Sequence, residues 1–182
     1  MQVVDLVILV GWVGFWIYWL AASVGVKTGR TRWGQFAGIR VGIILIVLLL
    51  ARLRVLKGHT VTHDAVLEGI GLGLFLLGLA VAVWARIYLG GNWGMPMTQK
   101  DNPELVTTGP YHLIRHPIYS GILLAMIGTA IAVSVYWLIA AVVIGGYFIY
   151  SATVEERYMA ERFPDTYPGY KRSTKMLVPF LL

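Results

Sequence analysis

The 182-residue chain has no cysteine. Thiol nucleophiles, iron–sulfur ligation and disulfides are therefore excluded. Charge is scarce, at 13% of residues, and is missing altogether from Ile118 to Tyr150, a run of 33 residues. No internal repeat or low-complexity tract is present. Apolar residues make up 58% of the chain and come in unbroken runs instead of alternating with polar ones, and the mean hydropathy is +0.71. This pattern excludes an ordinary soluble domain and describes a chain built for a bilayer.

Three runs are evident. Val3 to Val24 carries only Asp5 as a charge, and its 22 residues, at about 1.5 Å each, cross a ~30 Å hydrocarbon core. Phe36 to Val55 is charged only near its ends, and Val66 to Leu89 carries only Glu68 and Arg86 near its termini. The first run is too long for a signal peptide and lacks a basic leading region, so it reads as a retained span. The charge-free stretch 118–150 is long for one span and short for two. We read it as a helical hairpin turning at Ser134, because only then do the polar segments on either side of it emerge on one face. The expectation is an all-α integral membrane protein of about five transmembrane helices, the last two forming the hairpin. It is a single membrane domain, 1–182, with scaffold spans in 1–65 and a core in 66–182 that holds the polar segments.

The net charge of +6 sits in loops. Lys27, Arg30, Arg32 and Arg40 follow the first run, and Arg157, Arg162, Lys171, Arg172 and Lys175 populate the tail. By the positive-inside rule both segments face the cytoplasm, and this basicity reads as topology and anionic headgroups, with no nucleic-acid partner. Trp12, Trp16 and Trp19 lie at helical spacing as packing or interfacial residues. Gly69 and Gly73 form a small-xxx-small pair suited to close helix contact. His59 and His63 have helical ligand spacing, but the intervening Thr60-Val61-Thr62 forms helix poorly, and no metal site is assigned.

Polar content collects in the connection 90–119 and in the tail after Tyr150. The connection contains Leu105-Val106-Thr107-Thr108-Gly109-Pro110-Tyr111 and then Arg115-His116-Pro117-Ile118-Tyr119. Proline favours the first turn of a helix and drives the preceding residue out of helical geometry, so His116 is expected at the cap and Pro117 at the start. A helix start beside a guanidinium holds a carboxylate or phosphate. The extended strip before Gly109 exposes backbone groups able to read a purine edge, and Tyr111 and Tyr119 offer aromatic faces. Glu155 and Glu156 supply acid, and because they project about 100° apart on a helix, one at most faces the site. Arg86 lies near the end of the third run as a snorkelling residue or a partner for an anionic group.

The 105–121 segment, followed by Glu155-Glu156, Phe163-Pro164 and Tyr170-Lys171-Arg172, resembles the isoprenylcysteine carboxyl methyltransferase family and the related membrane phospholipid methyltransferases. The resemblance implies an S-adenosylmethionine-dependent enzyme acting at the membrane on a lipid-like or prenylated acceptor. Its cofactor pocket would lie on the cytoplasmic side, between the 90–119 connection and the tail. Leu105 and Val106 would meet the cofactor through their backbone, with Gln99, Tyr111, His116, Pro117, Tyr119 and Glu155 lining the pocket. Arg115, Glu155, Glu156 and Arg86 are the candidate catalytic residues. A carboxylate acceptor leads, with a phospholipid amine or another isoprenoid second. A membrane reductase using a nicotinamide cofactor and a non-enzymatic scaffold are the rival readings.

Overall fold

The computed structural model describes residues 3–24, 26–27, 29–31, 38, 41–42 and 64–179. The expected span at 36–55 falls almost wholly outside the described residues, as do His59 and His63. Five α-helices are present among the described residues. They are α1 (Val3–Ala21), α2 (Ala65–Leu89), α3 (Pro117–Ala132), α4 (Trp137–Arg162) and α5 (Tyr167–Ser173). The helical class is borne out, with one addition: β1 (Gly29–Thr31) pairs antiparallel with β2 (Thr98–Lys100), placing Arg30 opposite Gln99.

α1, α2 and α4 are each long and apolar enough to cross a membrane. α3, with 16 residues, reaches about 24 Å and falls short of a ~30 Å core. The charge-free stretch is divided unevenly because residues 133–136 are taken up by a turn, while α4 runs on through the acidic pair to Arg162. Trp137 N–H donates to the Ser134 carbonyl at 3.0 Å and Leu138 N–H to Val135 at 2.9 Å, so the reversal occurs at the serine expected from sequence.

α2 and α3 pack antiparallel through a seam of small residues. A Cβ placed on Gly71 would lie 2.6 Å from Ala132 N and 2.7 Å from Gly128 O. One placed on Gly121 would lie 2.6 Å from both Ala82 N and Gly78 O. The obstacles are backbone atoms, which no rotamer change can clear. Gly71, Gly78 and Ala82 alternate at spacings of seven and four, matching Gly121, Ala125, Gly128 and Ala132 on α3. Close backbone approach supplies the dispersion contacts that hold helices together where water gives no drive. Gly69 and Gly73 are not part of this seam. A Cβ on either would meet nothing within 4 Å, because both project about a third of a turn or more away from it.

α1 runs beside both helices. Trp12 donates from its indole to Thr129 Oγ1 at 3.2 Å and meets Phe75 edge-on at 5.6 Å. Trp19 is buried against Phe15 and, at 5.8 Å, Trp93, whereas Trp16 stays half exposed. Arg86 binds the helix ends together. Its guanidinium donates to the Gly90 carbonyl at 2.8 Å and to Ala22 at the end of α1, and it lies 4.8 Å from the Trp93 ring.

Gly78→Ala and Gly121→Ala should each lower stability in detergent by about 1–3 kcal/mol, since the added methyl pushes two backbones apart. Gly73→Ala should leave stability unchanged or raise it by up to about 1 kcal/mol through helix propensity. Thermal unfolding of the three variants checks this, and equal losses in all three would contradict the seam.

Candidate active site

The hairpin returns the start of α3 to the C-terminal part of α4. Pro117 opens α3 after His116, whose φ of −125° and ψ of 58° are non-helical, as the Arg-His-Pro order requires. Ahead of it, Gly109 adopts a φ of +59°, and a Cβ there would sit 2.5 Å from Tyr88 Cδ1 and Cε1, so the Gly-Pro turn needs its glycine twice over. The C-terminal tail then lies along this connection. Arg115 N–H donates to Lys175 O at 2.8 Å, His116 N–H to Met176 O at 3.0 Å, and Tyr170 OH to the Tyr111 carbonyl at 2.7 Å.

The two glutamates diverge as their helical spacing demands. Glu156 is 3% exposed and forms a buried pair with Arg115, Nε to Oε1 at 2.6 Å, while Lys171 Nζ reaches Oε2 at 2.7 Å. Arg115 also donates to the carbonyls of Lys171 and Thr174. Its guanidinium is therefore engaged by the protein and fastens the tail, although the side chain still borders the cavity.

Glu155 faces the other way, into the cavity. Its Oε1 accepts from Tyr119 OH at 2.6 Å and from Met97 N–H at 2.8 Å, and His116 Nδ1 lies 3.5 Å from Oε2. His116 stacks on Tyr119 at 5.4 Å with planes 5° apart, and Tyr119 stacks on Phe148 at 4.3 Å and 9°. A layered block of three rings thus flanks one carboxylate.

The connection roofs this block. Met95 to Thr98 form a turn closed by Thr98 N–H to Met95 O at 3.0 Å, with Pro96 second and Met97 third at a φ of +63°. That conformation normally belongs to glycine or asparagine. Full burial of Met97 and its bond to Glu155 hold it there. Lys27, leaving α1, ties the far edge of the roof. Its Nζ meets Asn92 Oδ1 and Glu104 Oε1, each at 2.8 Å, and this ammonium, followed by Asn92, holds the Glu104 carboxyl below its ordinary range.

A cavity of about 2060 Å³ opens beneath. Gln99, Leu105, Val106, Tyr111, His116, Tyr119 and Glu155 all border its polar end, so the structure brings these sequence-predicted residues together. The N–H groups of Leu105 and Val106 donate to no acceptor among the described residues. Pro117 is fully buried behind the wall. Glu156 and Arg86 do not border the cavity; Arg86 is 4% exposed, with Nη1 donating to Gly90 and Nη2 to Ala22. Away from the polar end the cavity runs between α1, α3 and α4 past Trp12, Ile122, Met126, Ala140 and Ile144. Pockets for one small ligand occupy roughly 300–1,000 Å³, so this volume has room for more than one molecule.

Sequence reasoning missed Phe148, Met97 and the Lys27–Asn92–Glu104 tie. Phe148 had a signal: it precedes Glu155 by seven residues, two helical turns on one face. Met97 and Lys27 had none, because their partners are remote in the chain.

Two outcomes follow. Glu156→Gln removes the charge that neutralises the buried Arg115 guanidinium and should cost about 3 kcal/mol or more. Glu155→Gln keeps an oxygen for Tyr119 and Met97 and should cost less than about 1 kcal/mol. Thermal melts of both variants check the difference. The second concerns alkaline pH. Burial pushes the Tyr170 phenol up to about 12 from an ordinary 10.0, with Arg115 opposing and Glu156 adding to the rise. Burial likewise raises Tyr111 and Tyr167. Above pH 10 the unfolded chain releases these protons while the folded one keeps them, so stability that is intact below pH 10 falls as pH rises through 12. Tyr170→Phe should flatten that fall in melts taken between pH 9 and 12, as a rough window.

The phospholipid methyltransferase family model matches residues 67–166, which include α3, α4, the 90–119 connection and nearly all of α2, and stop short of the tail. Among curated relatives, the cobalt-zinc-cadmium resistance protein CzcN of Cupriavidus metallidurans is 28% identical over 148 residues, covering 78% of this chain and 64% of that protein. Protein-S-isoprenylcysteine O-methyltransferase B of Arabidopsis thaliana is 29% identical over 119 residues, 63% of this chain and 60% of its own length. Methanethiol S-methyltransferase 1 of Bradyrhizobium diazoefficiens is 33% identical over 78 residues, 43% of this chain and 27% of its own. The chain thus spans less than two thirds of the length of these relatives. With more than half of its residues matched, and with isoprenylcysteine methyltransferases among its relatives as the 105–121 motif led one to expect, the chain belongs to the phospholipid methyltransferase family.

Proposed function

We propose that the protein is an integral membrane methyltransferase that uses S-adenosylmethionine and methylates a lipid-like acceptor, with a carboxylate as the leading acceptor group. The observation that carries this reading is a single cavity with a Glu155 carboxylate, a ring stack and an unpaired backbone strip at one end and apolar helix walls along the rest. The residues present fit the cofactor. Glu155 offers a carboxylate for its ammonium, the rings of Tyr111 and Tyr119 offer faces for its adenine, and the free N–H groups of Leu105 and Val106 can read the adenine edge. Because Arg115 is engaged by Glu156, its part is to hold the tail wall in place, and Arg162 on the cavity margin offers a cation for the cofactor carboxylate.

When bound, S-adenosylmethionine supplies an electrophilic methyl group for in-line displacement. Alignment and exclusion of water are then the protein's main contributions. The Met95–Thr98 roof and the docked tail exclude water, while the apolar walls take the hydrocarbon part of the acceptor. A carboxylate acceptor needs no base, since an anion and a cation neutralise each other in a low-dielectric site. For an amine acceptor, Glu155 is the base that borders the cavity. By the positive-inside reading the site faces the cytoplasm.

Calorimetry on the detergent-purified chain tests the cofactor. Binding of S-adenosylmethionine and not of NADPH is expected, weakened roughly tenfold or more in Glu155→Gln through loss of a charged contact. NADPH binding would favour a reductase, binding of neither a scaffold, and an unchanged affinity in Glu155→Gln would remove that residue from the site.

A further inference from the structure

A second cavity, of about 470 Å³, lies outside the main one, between the Thr107–Leu113 stretch and the tail from Tyr170 to Pro179. Its lining includes His112 and Lys175 and the hydroxyls of Thr107, Ser173 and Thr174, and, among the described residues, no aspartate or glutamate. Two of those hydroxyls are already committed. Ser173 Oγ and Thr174 Oγ1 both donate to the Tyr170 carbonyl. The side chains of Thr107, His112 and Lys175 make no hydrogen bond or ion pair among the described residues. Three donors from two distant parts of the chain therefore converge on one hollow, and no described residue of its wall carries a negative charge.

The hollow is fixed by the backbone. Ile114 and Lys175 form a parallel bridge, with Lys175 N–H donating to Leu113 O at 3.3 Å and Arg115 N–H to Lys175 O at 2.8 Å. Leu113, 52% exposed, lines it, and Val178, 42% exposed, directly precedes Pro179 of its wall. Apolar side chains left bare next to a cationic hollow fit a place where hydrocarbon and headgroup meet, and a soluble anion would gain nothing from them.

We propose that this hollow binds a phosphate group, donated by the headgroup of an anionic membrane lipid, through Lys175, His112 and Thr107. It shares only Tyr170 with the cavity assigned to methyl transfer and does not depend on that assignment. Its occupant would brace the tail residues Thr174 to Met176, whose carbonyls receive Arg115 and His116.

The test uses the full chain purified in a neutral detergent, with thermal unfolding followed by tryptophan fluorescence. The probes are dihexanoyl phosphatidylglycerol and inorganic phosphate, at matched ionic strength. A saturable rise in Tm with the lipid is expected, with the midpoint concentration roughly tenfold higher in Lys175→Gln/His112→Gln. Lys175→Arg should retain the response, as should Arg172→Gln, which alters net charge outside the hollow. An equal response to inorganic phosphate, lost in the same double variant, would support the anion site and assign it to a soluble phosphate. No saturable response to either probe, or one that survives in the double variant, would overturn the proposal. Since the substituted side chains have no partners among the described residues, the ligand-free Tm of the double variant should match that of the parent.

Discussion

The buried pair between Arg115 and Glu156 is the contact on which the rest of the site depends. It joins the last residues before α3 to the far part of α4, 41 positions away, with side chains 8% and 3% exposed. Isolated charges in such a place would be expensive, and mutual pairing with Lys171 and the tail carbonyls satisfies them. The same guanidinium then orders the tail, because the carbonyls of Thr174 and Lys171 accept hydrogen bonds from it. Three segments that are remote in sequence are thereby locked around one point. With Glu156 turned inward to this lock, helical geometry leaves Glu155 turned toward the cavity, so one pair of adjacent residues divides into a structural carboxylate and one that borders the cavity.

The lock would be useless without a rigid support for α3, a helix too short to rely on the bilayer for its position. Support comes from α2, whose glycines and alanines let the two backbones approach until no Cβ can be added. Trp12 adds a hydrogen bond from α1 to Thr129, and Arg86 ties the ends of α1 and α2. Packing of this kind has few soft degrees of freedom, which suits the proposed methyl transfer, a reaction that needs alignment more than covalent help.

Much of this could be read from the residues. Hydropathy gave α1 and α2, the charge-free stretch and Ser134 gave the reversal, and Arg-His-Pro gave the start of α3, whereas α5 formed where Tyr167-Pro168-Gly169 reads as a turn. The 100° rule anticipated the divergence of Glu155 and Glu156. What escaped was pairing across distance. Arg115 was expected to hold a ligand anion, yet the structure gives it to Glu156, and no local pattern distinguishes a partner in the protein from one in solution. α2 carries glycines at 69, 71, 73 and 78, and the pattern Gly69-xxx-Gly73 stands out, although the face that meets α3 bears Gly71 and Gly78. Which stripe becomes the interface depends on the neighbour, which a single helix does not encode.

Everything functional requires that the 105–116 stretch and the tail share one side of the membrane. The absence of cysteine makes this directly measurable with single-cysteine variants Thr107→Cys and Ser173→Cys, both bordering the outer hollow. In sealed, oriented vesicles, a membrane-impermeant maleimide should label both from the same side. Labelling of the two from opposite sides would contradict the shared site and the function built on it.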